Sequence, residues 1–163
     1  MSDLVPVGKR AVARVGGDEQ HQCVTNTIAG QLFGIPVLIV HDVLGPQRIT
    51  RVPLAPPEVA GSLNLRGRIV TAIDVRLRLG LTARPEEGGG MSVVVDHRGE
   101  FYSLMVDSVG EVLTLDAKDF ERNPVTLDPR WREVSSGIYR LESDLLVVLD
   151  VDRLLDFAQT EAA

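Results

Sequence analysis

The stretch GSLNLRGRIVTAIDVRLRLG, residues 61–80, decides how the chain is read. Leu63, Leu65, Ile69, Ile73, Val75, Leu77 and Leu79 fall on odd positions, and Ser62, Asn64, Arg66, Arg68, Asp74, Arg76 and Arg78 on even ones. A period of two marks an extended strand with one apolar face, and it holds at least as far as Asp74. Val70 and Ala72 interrupt the polar face, so the middle of that strand is expected to be covered on both sides. Arg66, between Leu65 and Gly67, then stands near one end. It is either a partly buried ion-pair partner or a surface anchor.

With 163 residues the chain can bury one substantial core, or two small cores sharing a wall. Aromatic residues make up only 4%, so the core is built mainly from Val, Leu and Ile, which favours sheets. Seventeen Lys and Arg against 23 Asp and Glu give a net charge of −6, which argues against a nucleic-acid partner. The charge is uneven: residues 61–84 hold five Arg and one Asp, whereas residues 100–163 hold six Lys or Arg and fourteen acids. Such a division suits oriented protein contacts. A single cysteine, Cys23, excludes an internal disulfide and fits a reducing compartment. With no uninterrupted apolar run of spanning length, the expectation is a cytoplasmic protein without direct membrane insertion.

Along the chain, residues 1–20 read as a flexible tail. QCVTNTI is a weak first strand, diluted by Thr25, Asn26 and Thr27, and LFGIPVLIV is a stronger segment in which Pro36 marks an edge, a strand end or the entry to a short helix. PLAPPEVAG reads as a loop with one helical turn, and ARPEEGGG, residues 83–90, as an internal linker. Two hairpins follow, turning at His97, Arg98 and Gly99 and at Glu142, Ser143 and Asp144. The end reads as an amphipathic helix, residues 150–158, capped by Asp150, with Val151, Leu154, Leu155 and Ala158 on one face. Residues 159–163 form a second tail.

The two halves echo each other. A shift of 69 residues sets Gly30, Val37, Val40, Val43 and Leu44 over Gly99, Val106, Val109, Val112 and Leu113, with Asp42 over Glu111. A shift of 76 sets Gly61, Leu65, Asp74, Val75 and Leu79 over Gly137, Leu141, Asp150, Val151 and Leu155. The expectation is a mainly β protein of two similar small barrels in tandem. The first occupies roughly residues 21–85, and the second, with a short insertion, roughly 91–150.

Catalytic patterns are few. No phosphate-binding G-x-x-x-x-G-K-[ST] occurs, and His21, His41 and His97 are scattered and read as surface residues, with no second cysteine to build a metal site. Cys23 reads as a small core hydrophobe. Asp74, Asp107 and Asp150 each follow an apolar run, and helix caps and strand ends account for them more simply than acid–base chemistry. No cofactor, metal or small-molecule substrate is therefore expected. A small enzyme using Asp74 or Asp150 stands as the rival reading.

The string VPLAPPEVAGSLNLRGRIVTAIDVRLRLGL, residues 52–81, resembles the central signature of CheW-like coupling proteins of bacterial chemosensory pathways. A loop ending in proline, Gly61, the Asn64-Leu65-Arg66-Gly67 tetrad, an apolar strand, then Asp74 and Arg76 keep the family's order and spacing. FGIPVLIVHDVLG, MVDSVGEVLTL and GIYRLESDLLVVLDVDRLL extend the likeness over roughly residues 22–157. The resemblance implies two SH3-like five-stranded barrels in one CheW-like domain over residues 21–158, with short helices including a C-terminal one. It also implies a noncatalytic adaptor that couples the cytoplasmic hairpin tips of chemoreceptors to the regulatory domain of the histidine kinase CheA, recruited to membrane-associated receptor arrays. A pathway for pilus motility or development is the alternative within the family.

On the same resemblance, Val40, Asp42, Gly61, Asn64 and Arg66 match receptor-binding positions, and Val109, Val112 and Gly137 match positions tied to coupling. The family usually has a glutamate at Asp42, paired with the tetrad's arginine, and an apolar residue at Asn26. The shorter aspartate leaves Arg66 freer to reach a receptor, through a weaker or water-bridged pair.

Overall fold

The computed structural model describes residues 19–82 and 90–156. The strands are β1 (Gln20–Ile28), β2 (Gln31–Pro36), β3 (Val40–Leu44), β4 (Val59–Leu65), β5 (Arg68–Asp74), β6 (Met91–His97), β7 (Glu100–Val106), β8 (Ser108–Asp116), β9 (Ser135–Arg140) and β10 (Leu145–Leu149). They form two five-stranded sheets, a first with the order β8-β1-β2-β10-β9 and a second with the order β3-β6-β7-β5-β4. Each is antiparallel except for one parallel pair, β2 with β10 and β7 with β5. Helical turns follow β5 (Val75–Arg78), precede β9 (Pro129–Glu133) and follow β10 (Val151–Leu154). The mainly β class in two five-stranded units with short helices is as expected.

The division into tandem units at residues 21–85 and 91–150 is not. The second sheet is one continuous span of chain, β3 to β7, inserted between the two parts of the first, β1–β2 and β8–β10. The repeat is nonetheless present strand by strand. Under the shift of 69, β1, β2 and β3 correspond to β6, β7 and β8; under the shift of 76, β4, β5 and the turn Val75–Arg78 correspond to β9, β10 and Val151–Leu154. Each half contributes its hairpin to one sheet and its remaining three strands to the other. Alternation in sequence fixes which face of a strand is apolar, not which distant strand lies beside it, so the exchange is silent in the pattern.

The opening stretch is also two strands rather than one. β4 ends at Leu65 and β5 begins at Arg68, and these residues face each other across the two-residue turn Arg66-Gly67. Residues opposite one another in a hairpin share a face, so the inward parity changes from odd on β4 to even on β5. Leu63, Val70 and Ala72 accordingly share one small core, while Ile69, odd and apolar, is 67% exposed. Val70 and Ala72 mark this change of parity.

Three apolar clusters result. The largest lies between the sheets and draws Ile28, Phe33, Ile35 and Leu149 from the first and Ile73, Val93, Val95 and Leu104 from the second. Val75 and Leu79 enter it alongside their counterparts Val151 and Leu155. The other two belong to single sheets, and they too correspond: Leu63, Val70 and Ala72 match Tyr139, Leu146 and Val148.

β1, expected to be weak, spans nine residues and pairs on both sides. Two of its polar members donate across the ladder: the Thr25 hydroxyl to the Glu111 carbonyl at 2.7 Å, and buried Asn26 to the Phe33 carbonyl at 3.4 Å, with the Asn26 Oδ1 left unpartnered. β1 begins at Gln20, inside the span read as tail; residues 1–18, most of the 83–90 linker, the helix end at 157–158 and the tail 159–163 lie outside the described residues. The 3-10 turn Val37–Ile39 follows Pro36, as that proline's missing donor allows. PLAPPEVAG holds turns but no helix.

Candidate partner-binding site

Arg66 sits at the tip of the β4–β5 hairpin with φ +53°, followed by Gly67 at +84°. Two successive left-handed residues make the tight turn whose twist suits flanking strands, and the Asn64 carboxamide oxygen fixes it by accepting from the Gly67 N–H at 2.9 Å. Ala29-Gly30 and Arg98-Gly99 turn the β1–β2 and β6–β7 hairpins in the same way. Turn type is thus common to three hairpins, two of them with an arginine at the left-handed position, and the hydrogen bond to Asp42 is what marks this one. Arg66 Nη1 donates to Asp42 Oδ2 at 3.0 Å, while Asp42 Oδ1 accepts from the Val43 N–H at 2.9 Å.

The pair joins the two outermost strands of the second sheet. Asp42 is on β3 and Arg66 follows β4, and Thr50, beyond β3, exchanges two backbone hydrogen bonds of 2.8 Å with Ser62 of β4. The sheet is thereby curled until its edges meet. The Arg66 side chain is 72% exposed and that of Asp42 25%. A single-contact pair this open contributes about 0–1 kcal/mol to stability. The contact is direct rather than water-bridged, and Arg66 is an exposed charge rather than a buried one.

Around it, His41 stacks on Phe101 with centroids 4.3 Å apart, and the Arg68 guanidinium lies 3.9 Å over the same ring. Ile69 and Val43 add exposed apolar area. Sequence reading missed this group because β3, β5 and β7, which supply it, are not neighbours in the chain. Its components are exposed cations, an aromatic face and isolated aliphatic side chains, the materials from which protein interfaces draw their anchors.

The remaining candidate residues fall elsewhere. Val40 and Val109, matched on β3 and β8, both pack half-buried against the shared core. Val112 lies opposite Val24 in the β1–β8 ladder. Gly61 and Gly137 occupy matching places, in bulged stretches of β4 and β9 rather than in turns. Each has little room: a Cβ on Gly61 would come 2.2 Å from the Thr50 carbonyl oxygen, and one on Gly137 would come 2.2 Å from the end of the Phe120 ring and 2.7 Å from the Glu121 carbonyl oxygen. The structure thus unites Asp42, Asn64 and Arg66 at one hairpin. Val109 and Val112 lie on the opposite edge strand from Gly137.

The groups weighed for chemistry have structural partners. Asp74 and Asp150 cap helical turns by accepting from the Leu77 and Arg153 N–H groups at 3.2 and 3.3 Å. Asp107 accepts twice from Arg76. Cys23 is buried, which pushes its thiol up to about 11, away from a reactive thiolate. His97, expected on the surface, is 6% exposed and lies 3.2 Å from Asp152, because β6 continues through it and turns only at Arg98. Among the described residues no group of three His, Cys, Asp or Glu is placed to hold a metal ion.

Comparison with known proteins agrees with this architecture. The family model described as the CheW-like domain matches residues 22–159. The chain is 28% identical over 149 residues to the chemotaxis protein CheW of Treponema pallidum, covering 89% of this chain and 88% of that protein. It is 28% identical over 158 residues to the chemotaxis protein CheW of Helicobacter pylori, covering 95% of each. The crystal structure of the scaffolding protein TtCheW from Thermoanaerobacter tengcongensis matches with a TM-score of 0.72 at 28% identity, over 80% of this chain and 89% of that one. From its matched span, its two five-stranded sheets and these relatives, the chain belongs to the CheW-like domain family.

Proposed function

We infer that the protein is a noncatalytic adaptor that couples chemoreceptors to the histidine kinase CheA in bacterial chemosensory signalling. The observation that carries this reading is the family match over residues 22–159 together with an exposed Arg66 presented at the tetrad's hairpin. An arginine held by one hydrogen bond to an aspartate is pre-positioned and can exchange that bond for a carboxylate or carbonyl of a docking helix. Asp42, Asn64 and Arg66, with Val40 and Gly61 supporting them, form the receptor-binding side; Val109, Val112 and Gly137 serve coupling through the first sheet. No helix among the described residues is long and apolar enough to cross a membrane, which suits a cytoplasmic adaptor recruited to arrays by its partners. The relatives named above are chemotaxis proteins, which favours chemotaxis over pilus motility or development.

The test is co-sedimentation of the purified protein with receptor-bearing membranes, with and without CheA. The expected result is sedimentation that depends on receptor and carries CheA along. Failure of the wild-type protein to pellet with either would overturn the reading. Val112→Asp is expected to reduce recruitment while the circular-dichroism melt is largely kept; outright unfolding would place Val112 in the core instead.

A further inference from the structure

The chain crosses between the sheets twice at matching places, after β2 and after β7, and the two crossings differ. At the second, Asp107 is the one residue between β7 and β8. Its carboxylate accepts from Arg76 Nε at 2.9 Å and Nη2 at 2.8 Å, and also from the Ala29 N–H at 2.8 Å. Its own N–H donates to the Thr27 carbonyl at 3.0 Å. Arg76 follows β5 of the second sheet, whereas Thr27 and Ala29 belong to the β1–β2 hairpin of the first. One carboxylate therefore binds both sheets, and both side chains are about four-fifths covered.

At the other crossing the same shifts place Leu38 where Asp107 would be, Asp152 where Arg76 would be and Arg98 where Ala29 would be. Leu38 is 97% exposed. Asp152 instead meets His97 Nδ1 at 3.2 Å and, with Arg78, Arg98, Glu133, Arg153 and Asp156, lines an open charged cleft of about 440 Å³, across which Arg78 donates to the Leu154 and Arg153 carbonyls at 2.7 and 2.9 Å. The apolar core between the sheets attracts without regard to direction and constrains their mutual angle only through the fit of its side chains. A two-pronged guanidinium–carboxylate contact fixes distance and plane at once.

We propose that Arg76 and Asp107 are positioning residues that set the angle between the two sheets and restrain their relative movement. Small sliding of packed layers is a usual form of such movement. The inference does not depend on which partners bind.

It is tested on the full chain with spin labels at Ile69→Cys in the second sheet and Glu142→Cys in the exposed β9–β10 turn of the first. Cys23 is buried with its thiol raised to about 11 and is expected to stay unlabelled in the native state. The wild-type background is expected to give one narrow distance distribution. Arg76→Ala should broaden and shift it, and Arg76→Lys, which keeps the charge but not the fork, should fall between. Leu146→Val, in the small core of the first sheet, is the control: it should lower the melting temperature and leave the distribution narrow. A distribution for Arg76→Ala as narrow as wild type overturns the proposal, as does equal broadening in the control at matched loss of stability. Should Arg76→Ala not fold, Asp107→Asn keeps an acceptor for the Ala29 N–H and removes the charge; an unchanged distribution there overturns it equally.

Discussion

The β4–β5 hairpin and the β9–β10 hairpin occupy matching places in the two sheets but present opposite charge. Where the first has Arg66 at its tip and Asp42 on the neighbouring edge, the second has Glu142 and Glu111. The first sheet ties its edges by the matching backbone pair, Glu121 with Ile138 at 2.9 Å where the second has Thr50 with Ser62, and differs in its side-chain contact, Arg140 with Glu121 at 3.0 Å. The frame, with its bulges, hairpins and small cores, is kept in both sheets, whereas the charges that a partner would meet are not. The recognition proposed for Arg66 thus rests on a residue at which the two sheets disagree.

The largest effect expected on that comparison concerns the shared frame. Gly61→Ala should cost roughly 3 kcal/mol, because its Cβ would strike a carbonyl oxygen held in a backbone pair at φ +151°. Gly137→Ala should cost less, about 1–2 kcal/mol, since part of its clash is with the Phe120 ring, which is 39% exposed and can turn away. Urea titrations measure both, and a larger loss at Gly137 would break the comparison.

Next comes the surface that distinguishes the sheets. Arg66→Ala should weaken binding to receptor-bearing membranes by about 1–3 kcal/mol. Its melting curve should reflect a loss of no more than about 1 kcal/mol. Glu142→Ala, at the matching tip, should leave both unchanged, and Asp42→Glu should retain binding. A large melting loss for Arg66→Ala, or wild-type affinity, would remove the recognition role from this hairpin.

The smallest effect is expected where one sheet already contains the substitution. Cys23 of β1 corresponds to Ser92 of β6, and both are buried. Cys23→Ser should therefore cost only about 1 kcal/mol by thermal melt. A loss well above that would show that the two frames tolerate polarity differently.

Much of this was legible in the chain. The shifts of 69 and 76 residues located the matched elements, and Asp74 and Asp150 were readable as caps from their places before short amphipathic runs. The Asp42–Arg66 pairing came through family resemblance, since 24 positions separate the partners and no local pattern links them. The turn at Arg66-Gly67 was hidden because Ile69 and Ile73 continue the odd apolar series across it, although Ile69 is exposed. Asp107 looked like an ordinary strand-end acid, because its partners Arg76 and Ala29 are brought to it only when the sheets assemble.

The nested order of the sheets also has a consequence for synthesis. The second sheet can close once β7 has left the ribosome, whereas β1 and β2, made first, must wait for β8 and β10 before either outer edge of their hairpin is paired. The earliest strands are thus the last to be secured, and long sequence separation slows that final step. Nascent chains stalled with residues 1–106 exposed should show protease protection of β3 to β7 and cleavage within β1 and β2; protection of all seven strands would mean that the hairpin finds shelter before its partners exist.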